Sequence, residues 1–255
     1  MSSKIGLVLS GGGVKALAHV GLIKVLLENN IMPNEVAGTS GGAIVSALYA
    51  SGYSPAEMVT FFKDMPLMKW SLYALNKPGI IDSDKYELFF KNYFPENFED
   101  LNIPLTVTAT NLLTGRLNYF SSGELIKPLI ASSALPPVFS PIEINGNLYS
   151  DGGILNNFPI EPLRKSCNKL IGSFVNPIEP IKKSDINSSL KVLYRVYHIG
   201  LDANDIKKFK KCEYVFAPSE IRKIGVLDTK SIDKAFSIGY EYASNQIEKI
   251  KNAIT

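Results

Sequence analysis

The chain has 255 residues, of which 45% are hydrophobic and 20% are charged, and its formal net charge is +3. This length suits one large domain with a buried core or two small ones. So small a positive charge gives no indication of a nucleic-acid partner. The two cysteines, Cys167 and Cys212, form no CxxC motif, which argues against a disulfide framework and against a structural zinc site.

The N-terminal segment shows no signal-peptide pattern. Its first apolar run, Ile5–Leu9, is short and has no small-residue cleavage site after it, and no later run is long enough to cross a bilayer. We therefore expect a cytoplasmic protein that contacts membranes at most peripherally. Short basic runs late in the chain, such as Lys207-Lys208 and Lys210-Lys211, are expected to be solvated, with weak attraction to anionic lipid headgroups as the alternative.

The first fifty residues alternate between strand and helix patterns. An apolar run that ends in glycines predicts a buried parallel strand at Ile5–Leu9. Helical spacing of apolar residues follows over 17–27, then a short strand over 35–37 and a helix over about 42–51. This alternation is typical of a mostly parallel sheet that is covered by helices.

The rest of the chain continues the mixed pattern without a repeat or linker, so we expect one domain over residues 1–255. Ser54 and Glu57 form a predicted capping box before a helix, and Asn145-Gly146 predicts a tight hairpin over 142–150. The other predicted helices are 82–94, 124–132, 187–201 and 229–251, and the other predicted strands are 104–110, 115–121, 170–175 and 213–216.

Residues 61–75 are rich in large apolar side chains, among them Met65, Met68 and Trp70. Such a segment suits a lid or a wall for an acyl chain, because methionine packs adaptably against irregular apolar surfaces. An ordinary helix pair packed on the sheet is the alternative. An exposed apolar patch there would favour the lipid interpretation.

Gly38 to Gly42 form a Gly-x-Ser-x-Gly pentapeptide between a predicted strand and a predicted helix. A nucleophile elbow needs small residues on both sides of a serine that takes strained backbone angles. The pattern also places Ser40 at a helix N-terminus, which favours developing negative charge. The alternative is a Gly/Ser loop that only begins a helix or holds a phosphate.

Gly11, Gly12 and Gly13 follow the first predicted strand directly. Three successive glycines can aim several backbone N–H donors at one point, which suits either a phosphate cradle or an oxyanion hole. The Gly-Lys-Ser/Thr ending of a Walker loop is missing, and a dinucleotide-binding pattern fits badly. The glycine loop should lie beside the Ser40 loop, so we favour the oxyanion hole.

A catalytic serine needs a base, and the chain has only two histidines. His198 lies inside a predicted helix, where a triad histidine is not expected, and His19 lies one turn into the first helix, where a packed or supporting role is favoured. Asp151 lies directly after the predicted hairpin and before Gly152 and Gly153. Such an aspartate is ordinarily a turn residue, but it is the remaining candidate for the base.

Three blocks of the sequence resemble the bacterial branch of the patatin-like phospholipases. SGGGVKALAHVG resembles the glycine-rich oxyanion motif of that family, GTSGG its nucleophile elbow, and ASSALPPVFSPIEINGNLYSDGGILNNFP its approach to the Asp-Gly-Gly block. They occur in the expected order over about the first 160 residues. One departure is Ala16, which stands where the family usually has glycine.

The resemblance implies a three-layer α/β/α patatin-like fold with a mostly parallel central sheet. It also implies hydrolysis of acyl esters in phospholipids or neutral lipids by a Ser-Asp dyad, with no metal and no other cofactor. Ser40 would be the nucleophile and Asp151 the base, and the backbone of Gly11, Gly12 and Gly13 would form the oxyanion hole. The supporting candidates are Lys15, His19 and Gly152.

Two other functions stay open on the sequence alone. An acyltransferase would use the same serine to form the same acyl-enzyme, although such enzymes generally need a histidine beside it. A non-catalytic lipid-binding regulator would keep the fold, but the intact Ser40, Asp151 and glycine loop argue against it.

Overall fold

The computed structural model describes residues 4–66, 72–75, 77–178 and 180–255. Its strands form one mixed sheet in the order β5-β6-β3-β2-β1-β7-β8, with β4 paired to β3. The strand bounds are β1 Ile5–Leu9, β2 Glu35–Gly38, β3 Leu105–Asn111, β4 Arg116–Phe120, β5 Ile142–Ile144, β6 Asn147–Asp151, β7 Lys169–Ser173 and β8 Tyr214–Phe216. β3, β2, β1, β7 and β8 run parallel, and β4, β5 and β6 add antiparallel pairs at one side.

The described helices occupy the connections expected for such a sheet. Their bounds are α1 Leu17–Glu28, α2 Gly41–Ala50, α3 Pro55–Asp64, α4 Glu87–Lys91, α5 Ile126–Ser132, α6 Ser189–Asp205 and α7 Ile232–Ile254. None of the helices in the described ranges is long and apolar enough to cross a membrane.

Both faces of the sheet are covered, so its strands are buried on both sides. On β1, Leu7 and Leu9 belong to the main core, which contains α1, α2 and α7. Val8 faces the other way, into a smaller cluster that includes Phe158 and Phe174. A 3₁₀ helix, Ile206–Lys211, closes this second face with Phe209.

Most predicted elements are confirmed, with ends that differ by a few residues. The capping box is present, with the Ser54 hydroxyl accepting from the Glu57 N–H and the Glu57 carboxylate accepting from the Ser54 N–H. Asn145 and Gly146 both have positive φ, as a two-residue hairpin of this type requires. The helix predicted over 82–94 is only partly right, because a 3₁₀ turn at Ser83–Tyr86 leads into the short α4.

The segment at 61–75 combines core and cavity wall. Phe61 and Phe62 are buried in the core, whereas Met65 is half-buried and lines a cavity that reaches Ser40. Met68 and Trp70 lie outside the described residues. The part that is described therefore supports the wall of a cavity, and a lid stays a prediction.

Candidate active site

Ser40 occupies a sharp turn between β2 and α2. Its backbone angles are φ 53° and ψ −129°, a left-handed φ that a non-glycine residue rarely takes. The Ser40 N–H donates to the Ser132 hydroxyl at 2.9 Å. This geometry is the strained strand-to-helix turn that the pentapeptide predicts.

The glycines around Ser40 are required by close backbone contacts. A Cβ on Gly38 would lie 2.5 Å from the Gly42 carbonyl oxygen, and a Cβ on Gly42 would lie 2.4 Å from the Ser10 carbonyl oxygen. A Cβ on Gly41 would lie 2.8 Å from the Gly13 carbonyl oxygen. The elbow and the glycine loop are therefore packed backbone against backbone, which only glycine permits.

The glycine loop has a divided role. The Gly11 N–H donates to the Asn157 side-chain oxygen at 3.1 Å, so this donor is already used. The N–H groups of Gly12, Gly13 and Gly41 have no acceptor within the described residues. The Gly11 N–H therefore anchors the loop to Asn157. The oxyanion hole stays a prediction, for which Gly12, Gly13 and Gly41, the residue after the serine, are the candidate donors.

Buried side chains fix the start of this loop. His19 Nε2 donates to the Ser10 carbonyl oxygen at 2.8 Å, and His19 Nδ1 accepts from the Ser173 hydroxyl at 2.6 Å. Burial lowers the pKa of His19 to about 4, although the bond to Ser10 opposes the shift. A neutral ring satisfies both bonds. The side-chain amide of Asn176 donates to the Gly11 carbonyl oxygen.

Asp151 ends β6 and is almost fully buried. Burial raises the pKa of its carboxyl group from 3.8 to about 7, although the hydrogen bond from the Gly153 N–H and the nearby Ser40 side chain oppose the rise. The Gly153 bond is 2.7 Å long. A carboxyl group that titrates near neutrality is a far better proton acceptor than an ordinary aspartate.

Two neighbouring segments hold Asp151 in place. The Ala134 carbonyl oxygen accepts from the Asp151 N–H at 3.1 Å and from the Ser150 hydroxyl at 2.6 Å. On the other side, a Cβ on Gly152 would lie 2.2 Å from the Thr108 hydroxyl oxygen. Gly152 therefore supports the site sterically, by letting the chain pass close to β3.

Two cavities meet at Ser40. The first is apolar and reaches from Ser40 past Ile44, Phe90 and Ile130. The second is smaller and more polar, and it brings together Gly12, Gly13, Ser40, Asp151, Asn157, Asn176 and His198. The predicted serine, aspartate and two of the glycines thus share one pocket.

The remaining candidates lie close to this pocket in different ways. His198 is on α6, as predicted, yet it lines the pocket of Ser40 and Asp151. Lys15 is half-buried and lines an adjoining groove. Ala16 is buried, and its methyl group would lie 3.0 Å from a Cβ on Gly41, so it fills space beside the elbow helix.

Three positioning residues were not singled out from the sequence. Ser132 and Asn157 are inside the long block quoted above, but nothing in their local pattern indicates a partner at Ser40 or Gly11. Asn176 follows β7, the strand next to β1. Its place after a parallel strand is the one signal that could have identified it, because loops after parallel strands meet at one edge.

The fold and the elbow define an α/β protein with the strand-turn-serine-helix arrangement of serine hydrolases. A family model described as patatin-like phospholipase matches residues 7–164. The chain belongs to the patatin-like phospholipase family.

Individual relatives are similar over different shares of the chain. An uncharacterized NTE family protein of Mycobacterium tuberculosis is 32% identical over 165 residues, which cover 64% of this chain and 46% of the relative. The lysophospholipase nte1 of Emericella nidulans is 26% identical over 281 residues, covering 97% of this chain and 18% of the relative. The chain thus spans less than half the length of these curated relatives.

Among solved structures, VipD from Legionella pneumophila is similar in fold. Its TM-score is 0.54 at 14% sequence identity, and the match covers 97% of this chain and 67% of that chain. At this identity the likeness shows the fold alone.

Proposed function

We propose that the chain is a lipid acyl hydrolase that uses Ser40 as nucleophile and Asp151 as base. The observation that carries this proposal is that Ser40 lines the same pocket as the buried carboxyl group of Asp151, whose pKa is raised to about 7. Such a pair can transfer the serine proton as the hydroxyl attacks. Membership of the patatin-like phospholipase family supports the same reaction class.

In the proposed reaction, Ser40 Oγ attacks the acyl carbon while Asp151 takes the hydroxyl proton. The N–H groups of Gly12, Gly13 and Gly41 stabilise the oxyanion, aided by the N-terminal end of α2. Asp151 then returns the proton to the leaving alcohol, which gives an acyl-enzyme. Water, deprotonated by Asp151, hydrolyses that ester and restores Ser40.

The apolar cavity supports an acyl chain as the group that is transferred. Its walls are almost entirely apolar, as the walls of a pocket for an acyl chain should be. Substituting Ile130, a buried wall residue, by Phe should lower kcat/KM for a dodecanoyl ester relative to a butanoyl ester. The control is Ile31→Phe, which introduces the same larger side chain at a buried position outside this cavity. It should leave the ratio of the two kcat/KM values unchanged.

A fluorophosphonate probe and a panel of acyl esters test the proposal. The wild type should be labelled and should release free fatty acid, and Ser40→Ala should do neither. Asp151→Asn should lose at least about 1000-fold in kcat while remaining folded. Near-wild-type hydrolysis by Asp151→Asn would exclude the dyad.

An acyltransferase is the second candidate, because His198 lines the catalytic pocket. His198→Gln should keep most hydrolysis if Asp151 is the base, and should lose it if a Ser-His pair does the chemistry. Transfer of the acyl group to an added alcohol or thiol acceptor, in place of release as fatty acid, would favour the acyltransferase.

We also propose peripheral contact with lipid surfaces through α6. Val192, Leu193, Val196 and Ile199 are between 44% and 61% exposed and fall within an arc of about 120° on the helix. Since His198 of the same helix lines the catalytic pocket, this apolar face would place the pocket near a bilayer. Leu193→Gln with Val196→Gln should reduce cosedimentation with phospholipid vesicles, whereas the exposed Met32→Gln should not.

A further inference from the structure

An open groove lies beside the catalytic pocket. Asn176 and His198 line both the groove and the pocket that contains Ser40 and Asp151. The groove therefore begins where the alcohol part of an acyl ester would leave the catalytic pocket. The apolar cavity also begins at Ser40. The acyl chain and the alcohol part of a bound ester would therefore lie in separate spaces.

The described part of the groove wall is strongly cationic. Among the residues that the structure describes there, one carboxylate, Asp185, is accompanied by five basic side chains: Lys15, Lys182, Lys191, Arg195 and Arg222. Asp185 accepts from the backbone N–H of Lys182 at 2.8 Å. A concave surface with this excess of positive charge attracts an anion, and Arg and Lys side chains are the usual partners of phosphate.

Asn176 marks the border between the two spaces. The residue is 4% exposed, and its amide nitrogen is committed to the Gly11 carbonyl oxygen. Its side-chain oxygen is buried and has no hydrogen-bond partner among the described residues. A buried acceptor without a donor is costly, so a ligand hydroxyl placed there would gain a bond that the empty protein lacks.

These features occur in a fixed order outward from Ser40: first a lone acceptor, then a cationic groove. We infer that the groove is a headgroup subsite for an anionic lysophospholipid, with Asn176 accepting from the free glycerol hydroxyl and the lysines and arginines binding the phosphate. The inference rests on the proposed function for the orientation of the acyl chain. In such a lipid the ester, hydroxyl and phosphate follow each other in the same order.

The groove favours an anionic headgroup over a choline headgroup. Quaternary ammonium groups are recognised by the rings of Trp, Tyr and Phe, and none of these occurs among the described residues that line the groove. The choline cation would also face the basic side chains. Lysophosphatidylglycerol should therefore bind more tightly than lysophosphatidylcholine with the same acyl chain.

Binding to the Ser40→Ala protein tests the subsite without hydrolysis. Calorimetric titration would compare oleoyl lysophosphatidylglycerol, oleoyl lysophosphatidylcholine and monooleoylglycerol below their critical micelle concentrations. We expect about tenfold tighter binding of the first lipid than of either other one. An analogue of it without the free hydroxyl should bind about tenfold more weakly, because the Asn176 oxygen stays unpaired.

Charge variants in the same background locate the site. Lys182→Gln with Lys191→Gln should remove most of the preference for lysophosphatidylglycerol, whereas Lys165→Gln with Lys249→Gln, two exposed lysines outside the groove, should keep it. Equal affinity for all three lipids would overturn the subsite. If inorganic phosphate binds the groove and the protein shows no preference among the three lipids, the groove is a site for a free anion instead.

Labelling of the wild type by a fluorophosphonate is measured in parallel, and it tests only the proposed function. Headgroup preference without labelling would support the subsite and contradict the hydrolase. Labelling without headgroup preference would support the hydrolase and contradict the subsite.

Discussion

The backbone N–H of Ser40 is bound to the hydroxyl of Ser132, the last residue of α5, at 2.9 Å. Two residues further on, the Ala134 carbonyl oxygen accepts from the Asp151 N–H. One short segment therefore contacts the turn of the serine and the strand end of the aspartate. It sets the relative position of the two residues, which are 111 apart in the chain (151 minus 40).

Ser132→Ala should impair catalysis more than it impairs folding. Loss of the hydroxyl leaves the Ser40 N–H without its acceptor, which costs about 1–2 kcal/mol and frees the strained turn to relax. We expect about a tenfold lower rate of fluorophosphonate labelling. The matched control is Ser244→Ala, an exposed serine of α7 whose hydroxyl also bonds a backbone group, donating to the Tyr240 carbonyl oxygen. Equal labelling rates in the two variants would contradict the positioning role.

The pH dependence of hydrolysis should follow the ionisation of Asp151. Only the carboxylate accepts the serine proton, and burial raises the pKa of this group to about 7. Therefore kcat/KM should rise with pH and level off above about 7. Since a histidine is the other possible base, the profile is measured in His198→Gln as well. If the pH midpoint of kcat/KM is unchanged in His198→Gln, Asp151 is supported as the base. If the pH dependence disappears in that variant, His198 is the base.

Much of this site follows from local sequence, because local geometry demands it. The elbow around Ser40 needs glycines wherever backbone meets backbone, and the Asn145-Gly146 hairpin needs two positive φ angles. Both requirements are visible in a few consecutive letters. The capping box at Ser54 is equally local. These are the features that the sequence predicted correctly.

The features that the sequence did not predict depend on contacts between distant residues. The partner of Gly11 is Asn157, 146 residues away, and its carbonyl is bound by Asn176, 165 residues away. Nothing near Gly11 indicates that its N–H is already used. Likewise His198 lies on a helix, as expected, but only the tertiary fold brings that helix to the catalytic pocket. The single domain over residues 1–255 stays a prediction, supported by a sheet with strands from both halves of the chain.

Asp151→Asn should stabilise the protein at high pH while it abolishes activity. The folded-state pKa of about 7 lies above the ordinary value of 3.8, so the folded state binds more protons between these values. The free energy of unfolding of the wild type therefore falls as pH rises from about 4 to about 7. Asparagine carries no charge and still accepts from the Gly153 N–H, so the variant avoids this loss.

The difference should reach as much as about 4 kcal/mol at pH 8 and shrink toward zero near pH 4. Urea unfolding at several pH values measures it, with the exposed Asp100→Asn as control. If the difference in free energy of unfolding between the wild type and Asp151→Asn is the same at pH 4 and pH 8, the pKa of Asp151 is not raised in the folded protein.

A comparison of Gly13→Ala with Gly115→Ala distinguishes the effect of backbone strain from the effect of close packing in the glycine loop. Both glycines have a left-handed φ, 55° and 66°. A Cβ on Gly13 would lie 2.2 Å from the Val226 carbonyl oxygen, whereas no atom of the described residues lies within 4 Å of a Cβ on Gly115. Gly115→Ala should therefore cost only about 1 kcal/mol of stability and keep its labelling rate. Gly13→Ala must also push the loop away from Val226, which displaces the candidate donors.

Losing one such donor typically costs about 100- to 1000-fold in rate, so we expect at least a 100-fold slower labelling of Gly13→Ala. Thermal unfolding of both variants corrects for any loss of folded protein. If Gly13→Ala is labelled as fast as Gly115→Ala, the N–H of Gly13 does not contribute to the oxyanion hole, and stabilisation must come from Gly12 and Gly41.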